Sequence, residues 1–168
     1  MKAGRSVLIL CVTAVGLSGV AAHAVEVKSP DGRVVLSLEV GDFEGATSCP
    51  VYSVAYDGKV VVASSRLGLV LATGPLAEGL EIVRQNESSI DTHWKPVYGE
   101  RSTIRDHCNQ VVVELQERNA PHRLLHLTLR AYDEGAAFCY TLAKQPDIER
   151  VTILREMTEF RFPADFSA

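Results

Sequence analysis

The amino-acid sequence predicts an all-β fold: a sandwich of antiparallel sheets. Three observations support this class. Apolar residues alternate with polar ones at period two, turn-forming residues bound these runs at intervals of about ten residues, and no segment sustains a helical period of 3.6. The predicted elements follow in chain order.

The first 24 residues have the pattern of a secretory signal peptide. Lys2 and Arg5 give a positive start, residues 7–20 are apolar and uncharged, and Ala22-His23-Ala24 is a small-residue cleavage site. The apolar stretch is shorter than the roughly 20 residues that span a bilayer. We therefore expect cleavage after Ala24, export to the periplasm or the medium, and no membrane span in the remaining chain.

Several segments of the remaining chain alternate as strands with one buried face. The first covers residues 33–40, and the same pattern recurs in residues 111–115, 122–132 and 136–142. The predicted core positions are Val34, Leu36, Leu38, Val40, Val111, Val113, Leu115, Leu125, Leu127, Leu129, Ala131, Phe138, Tyr140 and Leu142.

Two further segments depend on local chemistry. Asp57-Gly58 separates residues 51–56 from residues 59–63, and an Asp-Gly pair favours the positive φ angles of a tight hairpin turn. Residues 149–159 have the length of a short helix, but β-branched Val151, Thr152 and Ile153 favour a strand.

The length and the net charge of the chain limit the classes of protein to which it can belong. A chain of 168 residues is long enough for one domain, whereas a (β/α)₈ barrel alone takes roughly 250 residues. A net charge of -4 argues against a nucleic-acid partner, because such proteins neutralise phosphates with basic side chains. Cys49, Cys108 and Cys139 remain after removal of the leader, and they allow either one disulfide or buried thiols that pack as small apolar groups.

The sequence lacks the common catalytic and metal-binding motifs. The sequence has no G-x-G-x-x-G, P-loop, G-x-S-x-G or H-E-x-x-H. His122 and His126 are four residues apart, which on a strand separates them by about 13 Å, too far to share an ion. His93 and His107 are expected to be surface residues. We therefore predict neither a cofactor nor a metal site in this chain.

One segment, residues 91–109, is dense in polar and aromatic side chains. Its candidate site residues are Trp94, Tyr98, Glu100, Arg101 and Asp106. One interpretation is a carbohydrate-binding loop, in which the aromatic rings stack on a sugar and the charged groups bind hydroxyls. The other is a long hairpin whose Trp94 fills the core. Glu100 and Asp106 are a possible carboxylate pair for glycoside hydrolysis by residue type, but their spacing does not indicate convergence.

Seven segments in a fixed order carry a family resemblance. They are S-P-D-G (29–32), Y-S-V-A-Y-D-G-K (52–59), S-R-L-G-L (65–69), W-K-P-V-Y-G-E-R (94–101), I-R-D-H (104–107), R-A-Y-D-E-G-A-A-F (130–138) and T-E-F (158–160). Together they resemble the N-terminal domain of glycoside hydrolase family 97.

The resemblance implies a β-super-sandwich of the galactose-mutarotase type in residues 25–168. It also implies a bacterial, exported α-glucosidase or α-galactosidase, with α-glucosides or α-galactosides as the carbohydrate partner. In that family the catalytic glutamates and most calcium ligands lie in a following (β/α)₈ barrel. The sandwich supplies one further glutamate to calcium from a later stretch than those matched here.

No catalytic or metal-binding residue therefore transfers to this chain, and residues 94–101 transfer only as a structural or domain-facing element. Because the matched pattern stops inside the family's sandwich, we expect an incomplete domain and an absent barrel. The expected function is a carbohydrate-binding, barrel-supporting domain without catalytic residues of its own. The alternatives are a free-standing secreted carbohydrate-binding module and, third, a small hydrolase.

Overall fold

The computed structural model describes residues 24–145 and 150–164, and these residues form strands and turns without any helix. The predicted leader, up to His23, lies outside the described residues. The eleven strands are β1 (Val25–Lys28), β2 (Val34–Phe43), β3 (Ala46–Tyr56), β4 (Lys59–Arg66), β5 (Leu69–Leu71), β6 (Gly74–Leu76), β7 (Leu80–Trp94), β8 (Ile104–Glu117), β9 (Leu124–Tyr132), β10 (Gly135–Thr141) and β11 (Ile153–Glu156). The all-β prediction is confirmed.

The first sheet has the strand order β1-β2-β3-β4, with antiparallel pairing throughout. Asp57 and Gly58 have φ angles of 48° and 73°, as a two-residue hairpin turn between β3 and β4 requires. The predicted Asp57-Gly58 hairpin is confirmed. Glu44 and Gly45, with φ angles of 49° and 84°, make the corresponding turn between β2 and β3, which the sequence analysis did not identify.

The second sheet has the order β10-β9-β8-β7, also antiparallel. Its longest feature is the β7–β8 hairpin, in which the register runs from the pair Leu80 and Glu117 to the pair Trp94 and Ile104. A two-residue turn joins β9 to β10, so that Tyr132 pairs with Gly135.

The core lies between these two sheets. Alternate residues of β2, β8 and β9 point into it and are fully or almost fully buried, as the alternation predicts. These confirmed core residues are Val34, Leu36, Leu38, Val111, Val113, Leu115, Leu125, Leu127, Leu129 and Ala131. The predicted positions Val40, Phe138, Tyr140 and Leu142 are only partly buried and pack against the edge of this cluster.

A third, small sheet has the order β11-β5-β6. β11 confirms the strand prediction for this region against a helix. After β11 the chain continues alongside the first sheet: the Glu159 amide donates to the Arg66 carbonyl at 3.0 Å, and the Ala63 amide donates to the Arg161 carbonyl at 2.7 Å. The edge of β4 is therefore covered by the segment that follows β11.

The three described cysteines are free thiols. Cys49 and Cys108 are buried and fit the interpretation as small packing groups, whereas Cys139 is exposed on β10. The described residues include no helix with the length and apolar character needed to cross a bilayer.

Candidate functional site

The β7–β8 hairpin extends past the covered part of the sandwich. Near its base, Val111 and Val113 on β8 are fully buried. Toward its tip, Asp91, His93 and Arg105, which follow the same alternation, are polar and exposed. Because both faces of the hairpin are solvated there, its end projects from the domain.

A bidentate ion pair braces this projecting end. Arg105 donates through Nε to Asp91 Oδ1 at 2.7 Å and through Nη2 to Asp91 Oδ2 at 2.8 Å. The hydrogen bonds from Arg105 lower the pKa of Asp91, so the carboxylate stays ionised over a wide pH range. The pair links β7 to β8 diagonally and holds the tip in a defined orientation.

Trp94 ends β7 and is 53% exposed. The interpretation in which Trp94 fills the core is therefore wrong. The register explains why: Trp94 lies opposite Ile104, and Ile104 shares its face of β8 with Asp106, whereas the core residues of β8 point the other way. The indole is thus on the polar face of the sheet, beyond the core.

The loop between β7 and β8 carries three of the remaining candidates. Tyr98 is 90% exposed and its neighbour Val97 is 99% exposed. Glu100 and Arg101 are also exposed, and neither forms an ion pair with any residue that the structure describes. Gly99, with a φ of 136°, turns the chain between Tyr98 and Glu100. The loop therefore offers one aromatic ring and two unpaired charges to solvent.

Asp106 lies farther down the hairpin and is already engaged. The Tyr132 hydroxyl donates to Asp106 Oδ1 at 3.0 Å, and Arg130 Nη1 lies 3.6 Å from Asp106 Oδ2. Arg130 Nε also donates to Gln110 Oε1 at 2.8 Å. Burial raises the pKa of the Tyr132 phenol, so it remains a proton donor to Asp106.

Arg130, Tyr132 and Gln110 are residues of this surface that the sequence analysis did not nominate. Alternation placed Arg130 and Tyr132 on the polar face of β9, but it did not say which strand lies beside β9. The β8–β9 register brings them to Asp106, since Cys108 pairs with Tyr132 and Gln110 pairs with Arg130. A prediction of strand pairing would have found them.

The structure therefore divides the five candidates into two groups. Trp94 and Asp106 share one face at diagonal positions of the hairpin, with their Cα atoms about 7–8 Å apart. Tyr98, Glu100 and Arg101 lie in the exposed tip. Glu100 and Asp106 belong to different groups, and Asp106 is already hydrogen-bonded to Tyr132.

Two of the histidines are diagonal neighbours on one face of the hairpin. His93 lies opposite Arg105 and His107 lies opposite Asp91, and the Arg105–Asp91 ion pair occupies the other diagonal. His122 lies in the turn before β9 with a φ of 60°, which corrects its predicted place on the strand. Among residues 24–145 and 150–164, no three His, Cys, Asp or Glu side chains come together as a group that could hold a metal ion.

Comparison with protein families agrees with the architecture. The family model described as "Glycosyl-hydrolase 97 N-terminal" matches residues 27–168. The chain belongs to this family. The resemblance carried by the seven ordered segments is thereby confirmed.

Solved structures of a glycoside hydrolase family 97 enzyme and of a β-arabinopyranosidase contain a domain similar to this chain. An enzyme from Pseudoalteromonas sp. strain K8, in complexes with panose and with acarbose, superposes with a TM-score of 0.73 at 28% sequence identity. A β-arabinopyranosidase superposes with a TM-score of 0.74 at 30% identity.

Each match covers 83% of this chain but only 20% or 21% of the solved chain. The chain therefore spans about a fifth of the length of these relatives. The remaining four fifths of each relative lie outside the comparison.

Proposed function

We propose that this chain is the N-terminal sandwich of an exported glycosidase, that it has no catalytic residues of its own, and that it contacts carbohydrate and a (β/α)₈ barrel through the β7–β8 tip. The observation that carries the proposal is the exposure of Trp94 and Tyr98 on a projecting hairpin. Large aromatic rings that are exposed on a well-ordered hairpin are typical of surfaces that bind a ligand or another domain.

Carbohydrate contact follows from the chemistry of the tip. The C–H face of a pyranose ring packs well on an indole or a phenol ring. Glu100 and Arg101 bond to none of the described residues and are free to bind hydroxyl groups, and Asp106 has acceptor positions left beside its bond from Tyr132. The relatives crystallised with panose and acarbose make oligosaccharides the first ligands to test, and α-glucosides and α-galactosides are the proposed substrate class.

Calcium is proposed only for the complete enzyme. This cation takes six to eight oxygen ligands, several of them carboxylates. The described part of this chain contains no group of three or more acidic or histidine side chains, so its residues do not fit a calcium cage.

Titration calorimetry tests the carbohydrate contact. Panose and melibiose are titrated into the chain and into its Trp94→Ala and Tyr98→Ala variants. We expect saturable heat that weakens at least tenfold in either variant, because each truncation removes a stacking surface. Val97→Ala is the matched control, since Val97 is exposed in the same loop but carries no ring. No heat at millimolar sugar would remove carbohydrate contact from the proposal.

The alternative is a free-standing secreted carbohydrate-binding module. The same exposed rings favour it, because they need no barrel to reach a sugar. The genomic sequence after codon 168 separates the two: an in-frame barrel supports the glycosidase domain, and a stop codon followed by an unrelated gene supports the module.

Export has a separate test. If residues 1–24 are a signal peptide, the mature protein recovered from a bacterial periplasm or culture medium begins at Val25. Val25 is also the first residue of β1, so the proposed cleavage leaves every described strand intact. An amino terminus at Met1 would contradict the proposal of a cleaved leader.

A further inference from the structure

The outer face of the second sheet carries a row of polar side chains that begins beside Trp94. The row contains Asp106 and Gln110 on β8 and Arg130 and Tyr132 on β9, and all four side chains are half-buried. β8 and β9 are the two inner strands of this sheet. The contacts between these residues are therefore set by the β8–β9 register, whatever lies beyond the outer strands of the sheet.

Hydrogen bonds connect the members of the row. Arg130 donates through Nε to Gln110 Oε1 at 2.8 Å and through Nη1 to the Tyr132 hydroxyl at 3.4 Å. The Tyr132 hydroxyl donates to Asp106 Oδ1, and Gln110 Nε2 donates to Ser88 Oγ at 3.3 Å. Because each side chain is held by a neighbour, the row presents its remaining polar atoms in a fixed arrangement.

Two polar atoms of this network have room for a ligand. Within the part of the chain that the structure describes, Asp106 Oδ2 accepts no hydrogen bond, and Arg130 Nη1 stands 3.6 Å from it. Arg130 Nη2 likewise donates to none of the described residues. The side chains of Asp106 and Arg130 are 26% and 36% exposed. A carboxylate beside a guanidinium matches two neighbouring sugar hydroxyls, since one hydroxyl donates to the carboxylate and the other accepts from the guanidinium.

Trp94 lies at the upper end of the same face. It is diagonal to Asp106 across the hairpin, and aromatic side chains reach diagonal neighbours of this kind. Thr92, which is exposed, lies directly opposite Asp106. A sugar ring that stacks on the indole can therefore place its hydroxyl groups at the Asp106–Arg130 pair.

A groove continues the row beyond Arg130. It has a volume of about 400 Å³ and is lined by Gln110, Thr128 and Arg130 together with outward-facing residues of β10. Trp94 lies opposite Ile104, and six residues of β8, or about 20 Å, separate Ile104 from Gln110. The surface from the indole to the groove is thus longer than one sugar ring.

We propose that this row binds a linear oligosaccharide of neutral sugars along the outer face of the second sheet. Trp94 stacks on one ring, Asp106 and Arg130 bind adjacent hydroxyls, and the groove takes the rings that follow. Tyr132 is a positioning residue, because it acts through Asp106. The inference rests on the proposed carbohydrate contact, and it adds Arg130 and Tyr132 to that site.

Ala137 offers a test that leaves the network itself intact. It is exposed and lies directly opposite Arg130 in the β9–β10 register. In Ala137→Glu a new carboxylate competes with Asp106 for the guanidinium, whereas Ala137→Gln adds the same bulk without the charge. In calorimetric titrations with panose we expect binding to weaken about fivefold in Ala137→Glu and to change by less than about twofold in Ala137→Gln.

Direct substitutions use a matched ion pair on the same face. We expect Asp106→Asn and Arg130→Met each to weaken panose binding about tenfold, since each removes a hydrogen bond that involves a charged group. Arg84 Nη2 and Glu114 Oε2 form the control pair, 2.7 Å apart and farther along the sheet. Arg84→Met and Glu114→Gln should leave panose binding unchanged. Circular dichroism and urea denaturation check the fold of every variant.

The length of the ligand supplies the last test. Panose should bind at least about fivefold more tightly than maltose, its disaccharide part, because a third ring reaches farther along the row. If Tyr98→Ala weakens panose binding while Ala137→Glu and Arg130→Met do not, this inference is overturned and the proposed carbohydrate contact stands. Equal affinities for panose and maltose would also overturn it. No saturable heat with the wild type at millimolar panose would overturn both proposals.

Discussion

Arg123 donates through Nε to Glu117 Oε2 at 2.8 Å and through Nη2 to Glu117 Oε1 at 2.5 Å, and both side chains are nearly buried. The same guanidinium also donates to the Thr73 hydroxyl and to the Pro75 carbonyl. The pair therefore ties the end of β8 to the β5–β6 turn. A buried pair of this kind is costly to break, because the remaining charge has no solvent to replace its partner.

We expect Arg123→Met to lower the free energy of unfolding by about 3–5 kcal/mol, since it leaves the Glu117 carboxylate buried without a cation. Arg118→Met is the matched control. Arg118 Nε lies 3.7 Å from Glu81 Oε2 in an exposed ion pair, and removing this pair should lower the free energy of unfolding by less than about 1 kcal/mol. Urea denaturation measures both. Should Arg123→Met fail to fold, Arg123→Lys keeps the charge and loses the two-pronged bond. Equal effects at Arg118 and Arg123 would contradict the prediction.

The same pair predicts a pH dependence. Burial acts to raise the pKa of Glu117, but the hydrogen bonds from Arg123 outweigh it and hold this pKa below its usual value. A carboxylate with a lowered pKa contributes stability above its ordinary range, near 4.5, and that stability is lost as the pH falls through the lowered pKa.

We therefore expect Glu117→Gln to be much less stable than the wild type at pH 7, and the two proteins to converge in stability as the medium is acidified toward pH 3. Urea titrations at a series of pH values measure the difference. Parallel curves, with a constant gap between the two proteins, would show that ionisation of Glu117 contributes nothing.

Replacing three glycines with alanine should lower the stability of the fold by graded amounts. A Cβ on Gly68 would lie 2.5 Å from the Ala77 Cβ, and its φ of 147° also disfavours a side chain. Gly58 has a φ of 73° but open space around it, and Gly135 has neither constraint. Replacement by alanine should cost about 3 kcal/mol or more at Gly68, about 1 kcal/mol at Gly58, and nothing at Gly135. Thermal melts rank the three variants, and a costly change at Gly135 would contradict the order.

The buried halves of the sheets were predictable because burial of one face produces a local alternation of apolar and polar residues. In the buried parts of β2, β8 and β9 every second residue is apolar, and the Asp57-Gly58 turn fixes its hairpin by backbone preference alone. The sequence of β7 shows no alternation of apolar and polar residues, because β7 is an edge strand whose outer half projects into solvent. Its existence follows from pairing with β8 and not from its own sequence.

The polar site was less predictable for a related reason. Alternation assigns a residue to a face but not to a neighbour, so it placed Tyr132 on the polar face of its strand without joining it to Asp106, which lay outside the alternating runs. It also left Trp94 undecided, because aromatic residues are common both in cores and on contact surfaces. The cross-strand register decides both questions, and register is a property of the whole sheet.

A hydrogen bond from Tyr52 fixes the segment after β11 against the first sheet. The buried Tyr52 hydroxyl donates to the Glu159 carbonyl at 2.8 Å, and burial raises the pKa of Tyr52 to about 12. Tyr52→Phe should cost about 1 kcal/mol, whereas Tyr98→Phe, in the exposed tip, should be neutral. In an ultraviolet titration Tyr52→Phe should lose a component ionising near pH 12. The stability from this phenol is present below pH 10 and disappears as the pH rises through 12. An unchanged titration would contradict this assignment.

Trp94 is the only tryptophan, so its fluorescence reports the hairpin tip alone. Because half of the side chain is exposed, acrylamide should quench the native protein almost as strongly as the protein in urea. A tryptophan in the core would be shielded until the protein unfolds. Quenching that rises severalfold on unfolding would place the indole inside the sandwich. Protection of the native fluorescence by panose, absent with an equal concentration of a non-sugar polyol, would further show that the ring contacts the sugar.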